Sequence, residues 1–137
     1  DCYADLGYKT VSTNPCGEIP LCPYDSCRLL AINLFSYVEN PFTPQATFNF
    51  DLFKTHVAAA QRIMDDIIDL ELEKIDKILK KIDDDPELDE VKTTERNLWF
   101  NIQQKAQEGR RTGVGITAEG DMLAALGIQV KQGMLFH

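Results

Sequence analysis

The stretch Asn14-Pro15-Cys16-Gly17-Glu18 sets a thiol between an amide and a carboxylate. Pro15 fixes one backbone angle and Gly17 frees the next, so the segment reads as a tight tip that projects a side chain into a cavity. In an extended tip, Asn14 and Glu18 flank Cys16 so that thiol, amide and carboxylate can face one small molecule. A carboxylate so placed can act as a general base on a hydroxyl. Its negative charge favours the protonated thiol. A nucleophilic cysteine needs a histidine or a cation instead, and the chain's two histidines, His56 and His137, lie far away in sequence. A thiol kept protonated suits hydrogen-atom transfer.

All four cysteines (Cys2, Cys16, Cys22 and Cys27) fall near the start of the chain. A secreted disulfide scaffold spreads its cysteines to staple distant parts. Clustered thiols without a basic-then-apolar leader point instead to a reducing cytoplasm and to chemistry. The spacings C-x5-C and C-x4-C differ from the C-x2-C knuckle of zinc sites, and a fourth ligand would have to be Cys2 or His56, so no metal is expected. Cys22 and Cys2 read as structural, and Cys27 sits in an apolar run that could simply pack it.

These side chains need a scaffold. The chain has 137 residues and is 44% hydrophobic, enough for one ordinary domain. The net charge of −8 argues against a nucleic-acid or anionic-membrane partner. All of that excess lies in residues 65–95, with 13 Asp/Glu against 5 Lys/Arg. No run reaches the roughly 20 apolar residues of a membrane helix.

Residues 8–13 alternate weakly and predict a short strand. Residues 14–23 read as a loop. The apolar run Cys27 to Val38 predicts a buried strand in its first half, and the Pro41/Pro44 segment to Asn49 reads as a linker. From Phe53 through Val57, Ala60, Met64, Ile67, Ile68, Leu72, Ile75 and Leu79 to Ile82, apolar residues recur at helical spacing. Asp51 marks a start and Asp83-Asp84-Asp85-Pro86 a stop. Asp85 suits the cap of a second helix, carried by Leu88, Val91, Leu98, Ile102 and Ala106 to Gly109, so an antiparallel helical hairpin is expected. Thr112 to Thr117 predicts a strand, and Ala118 to Gly127 a helix ending at glycine. This is an α/β pattern with long crossovers. Three short strands cannot close a sheet alone. The chain, which begins at Asp1, is therefore expected to be a segment of a larger barrel or sheet, or to hide its edges by homo-oligomerisation.

Three stretches share a resemblance. Ser12 to Leu21 (STNPCGEIPL) resembles the finger loop of the ribonucleotide reductases, in the form typical of the adenosylcobalamin-dependent class. Tyr24 to Leu34 (YDSCRLLAINL) resembles the strand that follows. Gly109 to Ile128 resembles the next strand and helix, in the family's order. The resemblance implies a segment of a ten-stranded α/β barrel, mostly helical as an isolated piece. It implies Cys16 as the thiyl-radical residue that takes the 3′ hydrogen of a ribonucleotide, Glu18 as base at the 3′ hydroxyl, and Asn14 as a hydrogen-bonding partner of the substrate hydroxyls. Cys27 becomes one half of the thiol pair that supplies electrons; the other half is not matched by Cys2. Adenosylcobalamin, a ribonucleotide, a thioredoxin-type reductant and the rest of a parent chain are the implied cofactor and partners.

Two features depart from the family pattern. Arg28 stands where many relatives have Asn, and the acidic hairpin, roughly Asp65 to Gln107, is longer than the usual connection. Arg110 and Arg111 could hold a phosphate but equally suit a helix end, and are left out of the site. The expected organisation is one barrel-domain fragment, with residues 1–48 as finger loop and strand, 49–108 as acidic hairpin, and 109–137 as strand and helix. It is expected to be cytoplasmic and inactive alone. The competing reading is a non-enzymatic interaction module built on the acidic hairpin, and a second is a reductase whose radical comes from a separate metal-containing subunit.

Overall fold

The sequence alternates short polar-tipped strands with one long amphipathic stretch, and the computed structural model follows that division. It describes residues 4–129, so Cys2 and His137 lie outside the described residues. Strands β1 (Ser12–Thr13) and β2 (Pro20–Leu21) are followed by β3 (Arg28–Asn33), β4 (Val38–Glu39) and β5 (Thr47–Phe48). Helices α1 (Phe50–Asp84) and α2 (Asp89–Gly109), strand β6 (Thr112–Thr117) and helix α3 (Glu119–Ala125) complete the order. Short 3-10 turns cover Ala4–Leu6 and Leu34–Tyr37. The strands pair as three two-stranded sheets, β1-β2, β3-β6 and β4-β5. The barrel expected from the resemblance is therefore not closed among the described residues. No described helix is long and apolar enough to cross a membrane.

The chain divides into two units, residues 1–28 with 63–113, and residues 29–62 with 114–137. In the second unit Ile32, Tyr37 and Ala60 form a buried cluster, with Leu30, Phe48, Phe53, Val57 and Val114 packed on it. β3 is half-buried rather than buried through, because its residues alternate and Leu29 stays 60% exposed. The Pro41/Pro44 segment is more than a linker, since β5 returns antiparallel to β4. The Asn49 side chain accepts from the Leu52 amide at 2.9 Å and caps α1, two residues before the expected Asp51. Helix α3 ends at Gly127, whose φ is +70°. Its amide bonds Ala124, and the Ile128 amide bonds Leu123, the paired closure that a left-handed glycine allows.

The first unit holds the expected helical hairpin. The 35 residues of α1 span about 52 Å at 1.5 Å per residue. Its part in this unit buries Met64, Ile68, Ile75 and Ile82, while Ile67, expected on the same seam, is 39% exposed. Cross-links between the helices keep a strict register. Asp83 pairs with Arg96, Asp76 accepts from Gln103, and Asp69 pairs with Arg110. Each step moves seven residues back along α1 and seven forward along α2, the period of an antiparallel coiled coil. On the second helix Ile102 and Ala106 are covered as expected, but Leu88 is exposed. The half-buried and buried positions of α2 run through Lys92, Trp99, Ile102 and Ala106, whereas Val91 and Leu98 face solvent. Asp85 does not cap α2, which starts after Leu88 without a side-chain cap. It accepts instead from the Glu87 amide and shapes the turn.

Candidate active-site hairpin

The loop expected over residues 14–23 is a β-hairpin. Ser12 pairs with Leu21 and Thr13 with Pro20. The Asn14 amide donates to Ile19 at 3.3 Å, and the Gly17 amide donates to the Asn14 carbonyl at 2.9 Å. The second bond closes a β-turn with Pro15 at its second position and Cys16 at its third. Proline is pre-set for the second position, and glycine suits the fourth. Gly17 has φ +74°, a conformation that a side chain would strain. Cys16 is thus held at the apex and is exposed. Glu18 is also exposed, while Asn14 is half-buried and its Oδ1 is enclosed without a hydrogen-bond partner. An enclosed acceptor left unpaired is costly.

The second expected redox cysteine, Cys27, is half-buried just before β3, its thiol directed at the Arg28 carbonyl at 3.5 Å. Burial pushes this thiol above its ordinary range. Asp25 and Glu18 push it further, against the opposing pull of Arg28 and Arg111. Cys27 therefore stays protonated near neutral pH. The influence of Glu18 brings Cys27 within electrostatic reach of the hairpin tip, although Asn14, Cys16 and Glu18 share no side-chain hydrogen bond among the described residues.

The side chains that hold this hairpin lie outside its two strands. Asp25, with a side chain 3% exposed, forms an ion pair with Arg111 at 2.5 Å. Arg111 also donates to the Pro20 carbonyl at 3.1 Å and to the Cys22 sulfur at 3.6 Å. Cys22 is buried, as a packing residue should be. Arg110 takes the left-handed position after α2, with φ +41°, and reaches back to Asp65 and Asp69. Both arginines are therefore engaged in the scaffold. Arg28, just after Cys27, donates to Glu71 of α1 at 2.7 Å. No local sequence pattern marks an ion pair across that separation.

Two cavities in this unit are small. One of about 140 Å³ lies against Leu6, Tyr8, Gly109 and Arg111, and one of about 310 Å³ lies against Tyr8, Cys22, Tyr24 and Lys105. Asn14, Cys16 and Glu18 line neither. Even the larger is at the bottom of the roughly 300–1,000 Å³ range that suits drug-sized ligands. A corrinoid is far bigger than either of these two cavities.

Comparison with known proteins adds a further line. The model of the ribonucleotide reductase barrel domain matches residues 6–133. A vitamin B12-dependent ribonucleoside-diphosphate reductase of Thermoplasma acidophilum is 40% identical over 77 residues, covering 52% of this chain and 10% of the relative. The enzyme of the same name from Mycobacterium tuberculosis is 32% identical over 117 residues, covering 85% of this chain and 13% of the relative. The chain thus spans only about an eighth of the length of such relatives. No solved structure matches.

Proposed function

Because this chain belongs to the ribonucleotide reductase barrel-domain family, we propose that it is part of a reductase converting ribonucleotides to deoxyribonucleotides, and that it is inactive without the remainder of the barrel. The observation that carries this reading is the β-turn that exposes Cys16 between Asn14 and Glu18. The acidic-hairpin interaction module is disfavoured, because the family match runs through both helices rather than around them.

In this reading Asn14 hydrogen-bonds the substrate hydroxyls. Cys16, once oxidised to a thiyl radical, takes the hydrogen atom from C3′, and Glu18 takes the 3′-hydroxyl proton. The 2′ hydroxyl leaves as water. Two electrons come from Cys27 and a second thiol outside the chain, which close a disulfide. The hydrogen then returns from Cys16 to C3′. A protonated Cys27 suits this role, since it supplies a proton with its electron. A thioredoxin-type protein would reopen the disulfide, and a cytoplasmic setting would keep it reduced.

The names of the relatives favour adenosylcobalamin as the source of the radical over a separate metal-containing subunit. No residue of this chain is assigned to binding it. Purified full-length parent should form deoxynucleotide from a ribonucleotide with a thiol reductant only when adenosylcobalamin is added. Turnover without it moves the radical source to another subunit. No turnover in either case, from folded protein, removes the reductase reading.

A further inference from the structure

The Cys16 hairpin cannot fix its own orientation. Its ladder holds only two residue pairs, and an isolated two-stranded hairpin is marginal in water. Something outside must hold it. From the body of the unit, Arg111 reaches the second strand and the turn after it. Arg111 follows α2 and is about nine-tenths buried, with a side chain 10% exposed. Its guanidinium bonds the carbonyl of Pro20, the residue opposite Thr13 in the ladder. The same group pairs with Asp25, two residues before Cys27. Asp25 is fixed in turn by the Ser26 amide at 3.0 Å and the Cys22 amide at 3.5 Å. The Tyr8 ring lies 6.0 Å from the guanidinium carbon. One planar fork thus ties the arm that leads to Cys16 and the turn that leads to Cys27.

We propose that Arg111 is a positioning residue that sets the Cys16 tip and Cys27 in register for the same substrate. The proposal rests on the reductase reading of the hairpin. A lysine keeps the charge but is a point donor without the rigid fork, so it cannot satisfy Asp25, Pro20 and Cys22 together. Misplacing a reacting group by about 1 Å costs roughly a hundredfold in rate.

The test uses the full-length parent as Arg111→Lys, and as Arg111→Met with Asp25→Leu. The double variant removes both buried charges, which often leaves stability intact. In both, kcat should fall by about 10- to 100-fold with KM for the ribonucleotide held within about threefold. Amide exchange at Val11, Asn14 and Gly17 should quicken at least about tenfold, with α1 unchanged. Wild-type kcat in either folded variant overturns the proposal, and so does unchanged exchange at those amides. If the wild-type parent makes no deoxynucleotide, the reductase reading falls. Exchange then decides alone: faster exchange confined to the hairpin keeps Arg111 as its anchor, and unchanged exchange removes it.

Discussion

Two hairpins in one unit are stabilised in opposite ways. The helical pair α1–α2 has a buried seam through Met64, Ile68, Ile75 and Ile82 and three cross-links at seven-residue steps. The strand pair β1–β2 has two ladder positions, an exposed apex and one buried arginine beneath it. The first distributes its stability over many side chains, so it tolerates change at any one exposed site. The second concentrates its hold in the Arg111–Asp25 pair, which leaves Cys16 and Glu18 exposed at the tip. A tip that served only stability would bury its thiol, as Cys22 does.

Substitutions can break this contrast. The largest effect on the strand hairpin short of the thiol itself is expected from Glu18→Gln in the full-length parent. Loss of a general base lowers kcat by roughly 10²- to 10⁴-fold, and the melting temperature should stay put because Glu18 is exposed. Asp25→Ala should destabilise the folded protein by about 3–5 kcal/mol, since it strands the buried Arg111 charge. Denaturant unfolding measures it, and a cost below about 1 kcal/mol would show that Arg111 is solvated. On the helical side, Ile68 is fully buried, and Ile68→Ala should cost about 2–5 kcal/mol. Ile67→Ala, one residue along on the exposed face, should cost less than about 1 kcal/mol. Equal costs would refute the seven-residue register.

The sequence revealed these two regions unequally, for physical reasons. Helical periodicity integrates over many residues, so α1, the hairpin and the final helix were legible within a few positions. Ile102 and Ala106 were read correctly, but periodicity alone could not choose between Val91 with Leu98 and Lys92 with Trp99 earlier in the helix, because the partner helix decides which face is covered. The tight turn at Cys16 and the residues flanking it were legible from Pro15 and Gly17. Their support was not. Arg111 reaches residues 91 and 89 positions earlier in the chain, and no local pattern encodes that. Asp85 was read as a helix cap, yet an aspartate before proline serves equally well in a turn, which is where its oxygen is used.

Smaller effects sharpen the picture. Labelling of Cys27 by iodoacetamide should reach its midpoint at a pH above the ordinary thiol value of 9.0, because burial holds the neutral form. Glu18→Gln should move that midpoint down, since it removes a negative charge that raises it. A midpoint unmoved by Glu18→Gln would separate Cys27 from the tip. By linkage, the folded protein should lose a little stability as pH climbs through 9.0, where the unfolded thiol ionises before the folded one. Smallest of all, Arg96→Ala should change stability by no more than about 1 kcal/mol, as both it and Asp83 are half exposed.

The most direct test is Cys16→Ser in the purified full-length parent, assayed for deoxynucleotide with adenosylcobalamin and a thiol reductant. Serine keeps the turn and the exposed apex but cannot carry the radical under these conditions. Product formation should fall to background while the thermal unfolding curve overlays that of wild type. Retained deoxynucleotide formation in the serine variant would contradict the account.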